Sequence, residues 1–219
     1  MKRIRDEFDR ELEILLHDIQ SMGRVVSKAL IESVQALLTD NRILAEEVMK
    51  VEESIDLMQV LVEDKCILLI ALQQPIATDL RILSTALKIA TDLERIGDYA
   101  ENIARIAWKK TSDKQLGEKY RSFENMSLEV TDMLNKVLQA YQNTDVSLAE
   151  LVHAQDDVVD DYCKNLHACI VEDIKSSPHD VEYLVRLLAA LHYLERAGDH
   201  TTNIAESVVY LSTGRRFKN

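Results

Sequence analysis

Leu93-Glu94-Arg95-Ile96-Gly97-Asp98, followed by Asn102-Ile103-Ala104, returns 101 residues later as Leu194-Glu195-Arg196-Ala197-Gly198-Asp199, followed by Asn203-Ile204-Ala205. A match this dense marks an internal duplication. Each copy also interrupts a leucine-rich stripe. Leu80, Leu83, Leu87 and Ala90 lead to Glu94 and Gly97, and Val181, Leu184, Leu188 and Leu191 lead to Glu195 and Gly198. Steps of three and four along these stripes predict amphipathic helices. Each helix thus carries an acid and a glycine where its packing seam would otherwise continue.

The same periodicity extends outward through both halves. Phe8, Leu12, Leu15, Ile19, Met22, Val26 and Ala29 mark a first helix ending near Leu38, and Thr39-Asp40-Asn41 supplies a turn and an N-cap. Leu44, Val48, Val51, Ile55, Met58, Val62 and Leu69 stripe a second helix, which Gln73-Gln74-Pro75 ends. The third runs from near Ile76 to Trp108-Lys109-Lys110, and the polar stretch 111–117 reads as a linker. Phe123 to Ala140, then Leu148 to Cys169, repeat the first two helices. Ser177-Pro178 is expected to cap the sixth, so the chain's 2 prolines precede the two motif-bearing helices. The prediction is an all-α protein with six long helices, arranged as two tandem pseudo-symmetric three-helix bundles in up-down order. The first repeat would span 1–112 and the second 118–213, with 214–219 as a tail.

Composition agrees with this class. Hydrophobic residues make up 47% and charged residues 29%, and 5 glycines are too few for a turn-rich β protein. The net charge of −12 argues against nucleic acid, which requires a basic face. It suits cations or a basic protein surface instead. Cys66, Cys163 and Cys169 lack metal or redox spacing and read as reduced core thiols. The longest apolar run, Cys66 to Leu72, is too short to cross a bilayer, and the charged N-terminus lacks a signal-peptide core. The expected location is the cytoplasm, with a membrane reached only through partner proteins.

Residues four apart share a helix face, so Glu94 with Asp98 and Glu195 with Asp199 form carboxylate pairs. Glu52 with Asp56, and Asp156 with Asp160, form equivalent pairs on the preceding helices. The acid-x-x-x-Asp pattern occurs five times against about three by chance. Its weight comes from four of the five falling at equivalent places in the duplication. Two readings stand side by side. The carboxylates could converge as a cage for hard cations, or they could be a salt-bridged surface with Arg95 on Asp98 and Arg196 on Asp199. His192 and His153, each three residues before an acid, read first as ordinary surface or core histidines; as ligands they would bias the second site toward iron, zinc or nickel. The Glu-x-x-His pattern of di-iron bundles is absent, because glycine holds that place. Nucleophile motifs and phosphate-cradling loops are absent too, so an enzyme is not expected. A metal-dependent helical hydrolase or oxidase, and a plain helical scaffold, are the alternatives.

Pro75-Ile76-Ala77, Asp79-Leu80-Arg81, Leu87-Lys88-Ile89 and Asp92 through Asp98 resemble the first repeat of PhoU proteins. Leu194 through His200, with Asn203-Ile204-Ala205-Glu206, resembles the second. Ala197 and Thr201 depart from the usual isoleucine and alanine but leave the acids in place. The resemblance implies paired three-helix bundles and a cytoplasmic negative regulator of the phosphate-starvation response. It implies partners, the ATPase of the phosphate ABC transporter and a phosphate-sensing histidine kinase, and a homodimer. It further implies iron or zinc clusters on Glu52, Asp56, Glu94 and Asp98, and on Asp156, Asp160, Glu195 and Asp199, with no organic cofactor.

Overall fold

The structure, a computed structural model, describes residues 2–110 and 116–215. It contains six long helices, α1 (Lys2–Thr39), α2 (Arg42–Gln73), α3 (Thr78–Trp108), α4 (Ser122–Asn143), α5 (Val146–Ser176) and α6 (Val181–Thr213), and no strand among the described residues. The expected boundaries hold to within a few residues. Asn41 caps α2 by accepting from the Leu44 amide at 3.1 Å, and Asp145 caps α5 in the same way through Leu148. Of the expected linker only Leu116 and Gly117 lie within the described residues. They lead into a 3-10 turn at Glu118–Tyr120.

Ser177-Pro178 behaves differently from expectation. Pro178 opens a separate 3-10 turn, Pro178–Asp180, the Ser177 side chain makes no capping bond, and α6 begins only at Val181. Proline's fixed φ suits the first position of either helix type, so the sequence signal does not distinguish them. Pro75 sits in the α2–α3 connection, after the end of α2 as the sequence indicates. Gln74 and Ala77, on either side of it, both take positive φ.

The duplication is visible as burial. The buried positions of α2 (Ala45, Val48, Ile55, Val62, Cys66, Leu69) recur on α5 as Ala149, Val152, Val159, Leu166, Ile170 and Asp173, each 104 residues on. The spacing contracts to 101 between α3 and α6, and the three-residue difference is absorbed in the α2–α3 connection. One substitution in this register is chemical. Asp173 replaces a core leucine and is buried, accepting from Tyr120 Oη at 2.7 Å and from Lys119. The turn after the linker is thereby fastened to α5.

The two halves share one hydrophobic core. α1 packs on α4 and α3 on α6. The α3–α6 contact is pseudo-two-fold: His200 Nδ1 lies 2.8 Å from Asp92 Oδ1, while Tyr99 stacks on Tyr193 at 5.9 Å between ring centroids. Asp92 corresponds to Tyr193 and Tyr99 to His200, so the two contacts are equivalent by symmetry but chemically unlike. On the axis, Tyr99 Oη and His200 Nε2 lie 3.4 Å apart.

Candidate metal centre

The acidic pairs lie where α2 meets α3 and where α5 meets α6. Gly97 lets the first pair of helices come together: a Cβ there would sit 3.0 Å from Ile55 Cγ2 and 3.1 Å from its Cδ1. Gly198 has a second consequence as well, because its missing Cβ would lie 3.3 Å from Asp156 Oδ1. The glycine leaves room for the carboxylate itself. In both places close helix approach offsets a helix-propensity cost of about 1 kcal/mol.

On the first face, oxygens of Glu52, Asp56 and Asp98 all lie within 4.8 Å of one another. Three anionic groups this close need either protons or a cation. Burial pushes the Glu52 carboxyl up to about 7, reinforced by the charges of Asp56, Glu101 and Asp98. Asp98 is raised by burial against the pull of Arg95, whose Nη1 donates to it at 2.9 Å. Glu94 is raised by burial and then by Asp98. Its Oε2 is sealed from solvent and accepts no hydrogen bond from the described residues. Arg95 Nε lies 3.4 Å away without the alignment of one. A converging all-oxygen donor set with one orphaned buried carboxylate oxygen fits a hard di- or trivalent cation. Glu94 itself stands outside the converging triple.

The second face is looser. Burial raises Asp156 to about 6, with further contributions from Asp199 and Asp160, and Asp199 is raised by burial and then by Glu195. These four carboxylates feel one another, yet among the described residues they do not converge as the first three do. Glu195 pairs with His192 Nδ1 at 2.8 Å, and Lys164 lies 3.8 Å from Asp160.

Three placements differ from the sequence reading. The arginines of the two motifs diverge: Arg95 binds Asp98, but Arg196 lies over the Tyr99 ring at 5.4 Å instead of pairing with Asp199. The unlike pseudo-symmetric partners explain this, since Tyr99 offers a π face on the α6 side. Cys66 is a core thiol as expected, but Cys163 and Cys169 are only half-buried. Cys163 belongs to the second face, where burial and then Glu195 and Asp160 push its thiol up to about 11. Its position three residues after Asp160 was a usable signal. Glu101, on α3 beside Glu52, had no such signal, because only helix packing brings it near.

Fold and site together define a class: a duplicated six-helix protein with paired carboxylate faces, in which no described helix is long and apolar enough to cross a membrane. The chain belongs to the PhoU family, whose PhoU domain matches residues 19–107 and 123–208. It is 37% identical over 97% of its length to a phosphate-specific transport system accessory protein PhoU homolog of Clostridium acetobutylicum, and covers 97% of that protein. The phosphate-specific transport system accessory protein PhoU of Escherichia coli is 28% identical over 100% of this chain and 90% of its own length. The crystal structure of PhoU from Pseudomonas aeruginosa superposes with a TM-score of 0.89 at 32% identity, covering 95% of this chain and 100% of that one.

Proposed function

We propose that this protein is a cytoplasmic regulatory adaptor of phosphate uptake. It contacts the ATPase of a phosphate ABC transporter and a phosphate-sensing histidine kinase, and keeps the kinase quiet when phosphate is plentiful. The observation that carries this reading is similarity along nearly the whole chain, in both halves, to proteins named as accessories of the phosphate-specific transport system. The protein works by binding and not by turnover, and it does so as a homodimer. Deleting its gene should switch on phosphate-starvation genes in phosphate-replete medium. Unchanged, fully repressed expression would overturn the reading.

The acidic faces are proposed to hold iron or zinc. Glu52, Asp56 and Asp98, with Glu94 beside them, form the first site. Asp156, Asp160, Glu195 and Asp199 form the second. The converging oxygens of the first face support this, and its donor chemistry favours iron, the harder of the two ions. A bound cation supplies positive charge that relieves carboxylate repulsion. The chain's own part is to hold α2 against α3 at Gly97 so that the acids meet. Elemental analysis of dialysed protein tests the assignment, and protein free of iron and zinc would remove it.

A further inference from the structure

The outer face of α2 is apolar and has no packing partner among the described residues. Leu57, Val60, Leu61, Ile67, Leu68 and Leu72 are 49–68% exposed, opposite the stripe of α2 that enters the core. Together they present on the order of 600 Å² of apolar surface, the upper end for one patch on a monomer and near one partner's share of a standard interface. The duplication supplies an internal comparison. The equivalent positions of α5 are Asp161, Lys164, Asn165, Val171, Glu172 and Ser176, polar in all but one case. A fold that needs no apolar outer face on α5 needs none on α2, so the stripe is there to be covered.

Its pattern indicates by what. Leu57, Val60, Asp64, Ile67 and Ala71 alternate steps of three and four, the seam of a helix that pairs with another helix. Asp64 is the charged residue in the middle of that seam, and it is exposed. A polar residue at a seam position selects the partner that answers it. Glu53, Asp56 and Glu63 border the stripe, while the nearby Lys65 is already held by Asp18 at 2.5 Å. A second copy overlapping the whole stripe would bring Asp64 against its own counterpart, a like-charge pair in the middle of the seam. An anionic membrane meets the same repulsion. We infer that the outer face of α2 docks an amphipathic helix of another protein, apolar along one stripe and flanked by lysine or arginine. This inference stands on α2 alone and does not depend on the phosphate-regulatory reading or on a metal.

The test uses the full chain and two synthetic 18-residue helical peptides with leucine at the a and d heptad positions. One carries lysine at e and g, the other glutamate. The lysine peptide should bind with micromolar affinity and the glutamate peptide at least tenfold more weakly. Leu61→Glu with Leu68→Glu should abolish binding, while thermal unfolding shows the variant still folded. Asp64→Lys, which leaves every apolar contact in place, should weaken the lysine peptide at least fivefold and favour the glutamate peptide by a similar factor. Equal binding of both peptides, or lysine-peptide binding unaffected by these variants, would overturn the inference. So would a wild-type dimer that Leu61→Glu with Leu68→Glu converts to monomer, which assigns the face to a second copy. Vesicles of neutral or anionic lipid bound by the wild type and released by that variant would assign it to a membrane instead.

Discussion

Glu52→Gln separates a carboxylate kept for cation binding from one kept for stability. The Glu52 carboxyl is raised from 4.5 to about 7 by burial and by its acidic neighbours. The folded protein therefore holds a proton that the unfolded chain releases between those values. Stability attached to that proton is fully present below pH 4.5 and is lost as pH rises through 7. Were Glu52 sealed from water, the shift would correspond to roughly 3 kcal/mol. It is half-buried beside the exposed Asp56, so solvent screening reduces this to about 1 kcal/mol. Glutamine keeps the shape and removes the charge. At pH 8 with chelator the variant should be more stable than wild type by about 1 kcal/mol, a rise of roughly 2–4 °C in Tm for a chain this size. At pH 4 the two should coincide. Adding ferric or zinc ion at pH 8 should then raise the wild-type Tm by mass action and move the variant less. The assay is thermal unfolding followed by circular dichroism. A variant equal to or less stable than wild type at pH 8 without metal would show that the Glu52 charge carries no cost in the fold, and a gain of the same size at both pH values would show that the effect is not electrostatic.

Gly97→Ala places a methyl group 3.0 Å from Ile55 Cγ2, and overpacking should outweigh the gain in helix propensity for a net loss of about 1 kcal/mol in urea unfolding. An equal or higher urea midpoint would show that α2 can retreat without cost. Asp173→Ala strands the buried Tyr120 hydroxyl and should cost about 2–3 kcal/mol; Tyr120→Phe alone should cost less, and the double variant should fall well short of the sum. Strict additivity in that cycle would deny the coupling. His200→Ala removes the 2.8 Å contact with Asp92 and the ring beside Tyr99, and should lower stability by about 2 kcal/mol in a single cooperative transition, because α3 and α6 belong to one core. Two separated transitions in the wild type would contradict that shared core.

The helices and the duplication were legible in the chain because local physics decides them. Apolar residues at steps of three and four, Asn41 and Asp145 at N-caps, and very few glycines and prolines act within a few residues of one another, and the structure follows them closely. Placing acids on helix faces was equally local, so both motif pairs and their counterparts on α2 and α5 could be named. Tertiary structure alone decided which of them meet. Glu52, Asp56 and Asp98 converge while Asp156, Asp160, Glu195 and Asp199 do not, although both sets have the same spacing; Asp156, one methylene shorter than its counterpart Glu52, lies against Gly198 instead. The same holds for Arg196, drawn to Tyr99 from the other half, and for Asp173, which occupies a core leucine's place because the turn after the linker covers it. The apolar outer stripe of α2 was hidden in the sequence inside a long apolar run. Period alone names the faces of a helix, and only packing says which face is left uncovered.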